Sequence, residues 1–180
     1  FSACNGPDVE NFTMTPAARI AAVIEILADI KAASDAETHR GKQAGQWLRA
    51  GLQRRRYAGS GDRAAIGDLF WKIQRGQARL MWHLSALDAP ITPRNMTVAA
   101  LVLMERQTAQ LPQIFSAEIA HAPAPLDADE GNLIALLDAR EFSDPAMPQH
   151  IALEWPEWLM ADAKAGLGDA TPRELAALMG

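Results

Sequence analysis

The chain reads as an all-α protein, a bundle of about seven to nine helices, and three observations point there. Apolar residues recur at spacings of three and four along most of its 180 residues. Thr-Pro pairs or an acid three residues before a glutamate stand in front of those runs, as helix starts require. No segment alternates apolar and polar residues with the β-branched enrichment of a strand.

Taken in order, residues 1–13 show no periodicity and read as a flexible leader or an expression remnant. Thr15-Pro16 then caps and opens a helix over 16–32, with Ile20, Val23, Ile24, Leu27 and Ile30 on one face. A second helix is predicted from about Thr38 to Gln53, Trp47, Leu48 and Leu52 inward and Arg40, Lys42 and Arg49 outward. Tyr57-Ala-Gly-Ser-Gly-Asp62 reads as a turn. Ser60 or Asp62 caps a third helix carrying Ile66, Leu69, Phe70 and Ile73, interrupted near Gly76 before Leu80, Met81, Leu84 and Leu87 continue the stripe. Thr92-Pro93 opens a helix that is apolar on more than one face (Met96 to Leu103), which predicts a central position. His121-Ala-Pro-Ala-Pro-Leu126 is an extended connector, since each proline disfavours helix before it. Asp127 and Glu130 form a capping box ahead of Leu133, Ile134, Leu136 and Leu137. Pro145 and Pro148 break the chain, a short helix starts near Pro156, and Thr171-Pro-Arg-Glu174 opens a last one.

Hydrophobic residues make up 49% and charged residues 22%, the balance of a folded domain rather than a disordered or membrane chain. The longest apolar stretch, Met96 to Met104, is about half a bilayer span. Cys4 is the single cysteine, so an internal disulfide is excluded and a reducing cytoplasm is the default compartment. The formal net charge of −5 hides an asymmetry. Arg40 to Leu80 holds ten basic residues against Asp62 and Asp68, whereas Ile91 to Gly180 holds five basic against thirteen acidic. Local charge decides whether phosphates are attracted, so the first of these segments is the place to look.

Catalytic chemistry is not visible. No strand runs into a glycine-rich loop, Gly59-Ser-Gly61 is too short and lacks the lysine of a phosphate-binding loop, and the four histidines have no paired spacing. No catalytic residue, metal site or bound cofactor is expected here. Binding is better represented. Arg54, Arg55 and Arg56 offer guanidinium forks suited to phosphate oxygens, and Tyr57 offers a ring on which an unpaired base can stack. The glycine turn around Ser60, followed by Arg63, leaves N–H groups at a helix start as a second phosphate position. Arg49 precedes this cluster; Lys72, Arg75 and Arg79, three to four residues apart, read as a basic stripe behind it. On charge alone a solvated or internally paired set of helix-end arginines stays an equal alternative. The five tryptophans read as core, with Trp155-Pro-Glu-Trp158 the exception suited to a contact between domains.

Met14-Thr-Pro-Ala-Ala-Arg19, Arg56-Tyr-Ala-Gly-Ser-Gly-Asp-Arg63-Ala-Ala-Ile66, His121-Ala-Pro-Ala-Pro-Leu126, Pro156-Glu-Trp-Leu159, Gly168-Asp169 and Glu174-Leu-Ala-Ala-Leu178 occur in this order. Together they resemble the front of the Sun/Fmu-type rRNA cytosine-5 methyltransferases in their α-proteobacterial form. The pattern departs at Ile73-Gln74-Arg75 and between Arg40 and Gln46. The resemblance implies a NusB-like helical RNA-binding domain over 14–150. Residues 151–180 would then be a helical linker to a methyltransferase domain, with its S-adenosylmethionine and catalytic cysteines, beyond Gly180. It implies rRNA and that attached domain as partners, no membrane, and no enzyme activity in this chain alone. Changing Arg54, Arg55 and Arg56 together to Glu is then expected to abolish RNA binding. A scaffold that packs on the catalytic module, or a free-standing antitermination-type factor, are the rival readings.

Overall fold

The computed structural model describes residues 13–36 and 43–167. Within them the chain is all-helical, as its periodicity predicts, with no strand. α1 (Pro16–Asp35) begins where Thr15 accepts a hydrogen bond from Ala18 N–H at 3.1 Å, and Pro16, whose nitrogen has no proton to leave unpaired, follows. α2 (Ala44–Arg54) and α3 (Ser60–Arg75) follow, and Gly76 separates α3 from α4 (Gln77–Ser85). α5 (Pro93–Leu103) is capped by Thr92, which accepts from Asn95 N–H at 3.0 Å. α7 (Ala128–Asp138) carries a reciprocal box: Asp127 accepts from Glu130 N–H at 2.8 Å, and Glu130 accepts from Asp127 N–H at 3.1 Å. α9 (Glu157–Leu167) follows Pro156.

Two four-residue helices were not anticipated, α6 (Leu111–Ile114) and α8 (Gln149–Ala152). One turn of helix is too short to show a period, so the sequence offered no signal for them. The boundary expected between residues 150 and 151 falls inside α8. α1 runs three residues past its predicted end, and the residue before α3 is Gly59 rather than Ser60 or Asp62. Residues 1–12 of the leader, Arg40, Lys42 and the segments at 168–169 and 171–178 lie outside the described residues.

α5 is the axis of the bundle. Every residue from Asn95 to Leu103 is buried, and the helix packs against α1, α3, α4 and α7. A helix apolar on all sides gains most where neighbours surround it, and each large apolar side chain it buries contributes about 1.5–3 kcal/mol. Phe70, Ile66 and Ile73 of α3, Ile26 of α1 and Leu80 and Leu84 of α4 complete the centre. α2 lies close on α1 because Gly51 has no side chain: a Cβ there would stand 2.4 Å from Ile26 Cγ1. No helix among the described residues is long and apolar enough to cross a membrane.

Two carboxylates join parts distant in sequence. Asp62, 2% exposed, accepts from Met14 N–H, Gly59 N–H and Arg19 Nε, tying the start of α1 to the start of α3. Gly76 has no side chain to cap α4, and Glu154 does so instead. Held in the left-handed region at φ 54°, it accepts from Ala78 N–H (2.8 Å), Arg79 N–H (3.0 Å) and Arg79 Nε (3.0 Å). Of the tryptophans, Trp47, Trp82 and Trp155 are half-buried, but Trp71 and Trp158 are exposed, against the expectation of a core role for Trp71.

Candidate nucleic-acid interface

α2 and α3 form an antiparallel hairpin. The Trp71 ring lies beside Gly45, Leu48 beside Gly67, and Arg63 Nη1 reaches the Leu52 carbonyl. Arg49 on α2, Arg56 and Tyr57 in the turn, and Ser60, Trp71 and Arg75 on α3 lie along this hairpin, the Trp71 ring with one edge against Gly45. All six are exposed, Tyr57 at 62% and Trp71 at 37%. Arg49, Arg56 and Arg75 make no ion pair or hydrogen bond to the described residues, and neither does the Tyr57 hydroxyl. The hairpin therefore carries three exposed, unengaged guanidinium groups and two partly accessible aromatic rings, with Asp68 the exposed acid of the same helix.

The other five basic residues singled out in the sequence are engaged internally. Arg54 pairs with Asp29, and Arg55, only 7% exposed, pairs with Glu25 and donates to the Gly51 carbonyl at 2.9 Å. Arg63 donates to the carbonyls of Ala58, Leu52 and Arg55, closing the end of α2. Lys72 bonds Glu105 at 2.6 Å. Arg79 bonds Glu154 at 3.0 Å and lies over the Phe142 ring. The Lys72–Arg75–Arg79 stripe is thus divided, since Gly76 breaks the helix and two of its members face acidic partners. The second expected phosphate position, at the glycine turn, has an acid beside it. Asp62 takes the Gly59 N–H and places a negative charge at the start of α3, where an anion would be repelled. Burial pushes the Asp62 carboxyl up, but the N–H bonds from Met14 and Gly59 and the Arg19 guanidinium outweigh burial and hold it below its ordinary value.

Beside the hairpin lies a cleft of about 310 Å³ between α1, the residues after α2 and the connector at 121–124. Tyr57 lines it together with Glu25, Arg55, Arg94 and His121. Arg94 is held by both oxygens of Glu130, by the carbonyls of Ala124 and Pro125, and by the Phe115 ring 4.7 Å beneath it. The Arg94 hydrogen bond lowers the Glu130 carboxyl more than burial raises it. The cleft was not legible in the sequence, because its walls come from residues up to about a hundred positions apart; the exposure of Trp71 was missed because a period assigns a face without saying how much of a large ring the neighbouring helix covers.

Among the described residues no three histidines, cysteines or carboxylates are grouped to hold a metal ion. No family model, curated protein or solved structure matches the chain.

Proposed function

We propose that this is an RNA-binding accessory domain that helps an attached S-adenosylmethionine-dependent rRNA cytosine-5 methyltransferase engage its RNA. The observation that supports it best is the α2–α3 hairpin, along which Arg49, Arg56 and Arg75 are exposed and unengaged and Tyr57 and Trp71 are exposed. Guanidinium groups without internal partners are free to neutralise phosphates, and exposed rings on the same hairpin provide a stacking surface of the kind single-stranded RNA uses. The motif resemblance supplies the attached enzyme and the rRNA target. In this reading the cofactor and the chemistry belong to the attached domain.

The test is titration of the chain with a fluorescently labelled single-stranded RNA at two salt concentrations. Binding that weakens with salt is expected, and Arg49, Arg56 and Arg75 changed together to Glu should abolish it with the melting temperature unchanged. These three replace Arg54, Arg55 and Arg56 as the set to change, since reversing the buried Arg55 would disturb the fold itself. Affinity that survives the triple change rules out the hairpin as the contact. A second reading, a domain that docks on protein, is favoured by one observation: Trp158 on α9 is 70% exposed. Binding of the separate catalytic half, lost on Trp158→Ala and unaccompanied by RNA binding, would support that reading instead.

A further inference from the structure

We infer that the cleft beside Tyr57 is a receptor for one unpaired base of the bound RNA, selecting cytosine over uracil. This rests on the RNA-binding reading above and adds to it a position at which sequence is read. At about 310 Å³ the cleft is at the small end of the range that holds ligands and is roughly suited to a single nucleotide unit. Its floor is the face of α1 built from Ala21 and the alanines flanking it, and side chains this small let a flat ring approach the helix backbone. Tyr57, exposed and with its hydroxyl unengaged, belongs both to this cleft and to the hairpin surface. A strand whose phosphates follow Arg56 therefore passes the cleft mouth, and one base can turn in against the Tyr57 ring.

The polar groups within give the selectivity. Glu25 has a side chain 66% exposed, and its carboxylate is fixed by the buried Arg55 guanidinium. A carboxylate accepts from the amino group of cytosine and has nothing to accept from at the corresponding carbonyl of uracil. Arg94 also lines the cleft, and its Nη1 makes no hydrogen bond to the described residues. It supplies a donor for a base carbonyl, so that the pair Glu25 and Arg94 matches the amino group and carbonyl of cytosine, whereas uracil sets a carbonyl where cytosine carries the amino group.

Oligo(C) and oligo(U) of about twelve nucleotides carry the same phosphates, so comparing them cancels the sequence-independent attraction. Titration by fluorescence anisotropy is expected to show oligo(C) binding about tenfold tighter, the discrimination of one good base contact. Ala21→Leu fills the floor without touching an arginine, and should erase that preference while leaving salt-dependent binding to both oligomers. Tyr57→Ala should weaken both by about tenfold through lost stacking. If Ala21→Leu does not fold, the native chain still decides: with oligo(C), amide resonances of Ala21, Tyr57 and Ala122 should shift more than with oligo(U). Equal affinity for the two oligomers, a preference that persists in Ala21→Leu, or shifts confined to the hairpin would overturn the cleft assignment and leave the hairpin reading intact. Absence of any RNA binding at low salt defeats both together.

Discussion

At the scale of single residues, two buried polar groups govern how this protein responds to substitution and to pH. Asp62 gathers two N–H groups and one guanidinium inside the fold, so Asp62→Asn leaves donors without an acceptor. Arg19 keeps 31% of its side chain exposed and can turn to water, which holds the expected loss to about 2–3 kcal/mol, measured as a shift in the urea midpoint. His83 is fully buried, with Nε2 3.3 Å from the Phe142 carbonyl and Nδ1 lacking a hydrogen bond among the described residues. Burial drives its basicity below the ordinary value of 6.5 and Arg140 adds to this, against the opposing pull of the Phe142 carbonyl and Asp144. The unfolded chain therefore takes up the proton first, and stability falls as pH drops through 6.5 toward the lowered native value. Asp62 and Glu130 act in the same direction further down: their contribution is complete above 3.8 and 4.5 and is lost as pH falls through their lowered native values. His83→Leu should flatten the upper part of the stability profile and leave the lower part in place. A profile unchanged between pH 6.5 and 5 would refute the assignment to His83.

At the scale of elements, close approach and long-range capping matter more than propensity. Gly51→Ala would place a methyl group 2.4 Å from a fully buried Ile26 atom, so α2 must move off α1. A loss of about 1–3 kcal/mol is expected from such overpacking, read as a lower melting temperature with helical content retained. The starts of α1, α5 and α7 were legible because Thr15, Thr92 and Asp127 cap residues three positions away, inside the window a sequence pattern covers. The start of α3 was displaced because Asp62 turns back to Gly59 and outward to α1 instead of capping in place. The arginine cluster misled for the same reason: the partners of Arg54 and Arg55 are Asp29 and Glu25, a helix earlier in the chain. Spacing in sequence reports which side of a helix a residue occupies, but not which acid from another helix meets it there.

For the molecule as a whole, the basic segment offers fewer free cations than its composition, because five of its basic side chains are engaged by acids or carbonyls of the protein itself. Of the ten basic residues from Arg40 to Leu80, eight of them expected to contact RNA, Arg49, Arg56 and Arg75 are exposed and unengaged among the described residues. If those three carry the phosphate contacts, a plot of log affinity against log salt should have a slope of about −2, at about −0.7 per neutralised phosphate on a single strand. A slope near −7 would mean that all ten cations reach the RNA and that the ion pairs open on binding.

Glu154 also dictates an order of assembly. The first turn of α4 has no cap of its own, and its N–H groups wait for a carboxylate 75 or 76 positions later in the chain. A polypeptide made from its N-terminus therefore carries α4 with a frayed first turn until Glu154 has emerged. Contacts this distant in sequence form late because the intervening loop must first close. The closing event of folding would then be the seating of one glutamate, and Glu154→Ala should speed unfolding much more than it slows refolding.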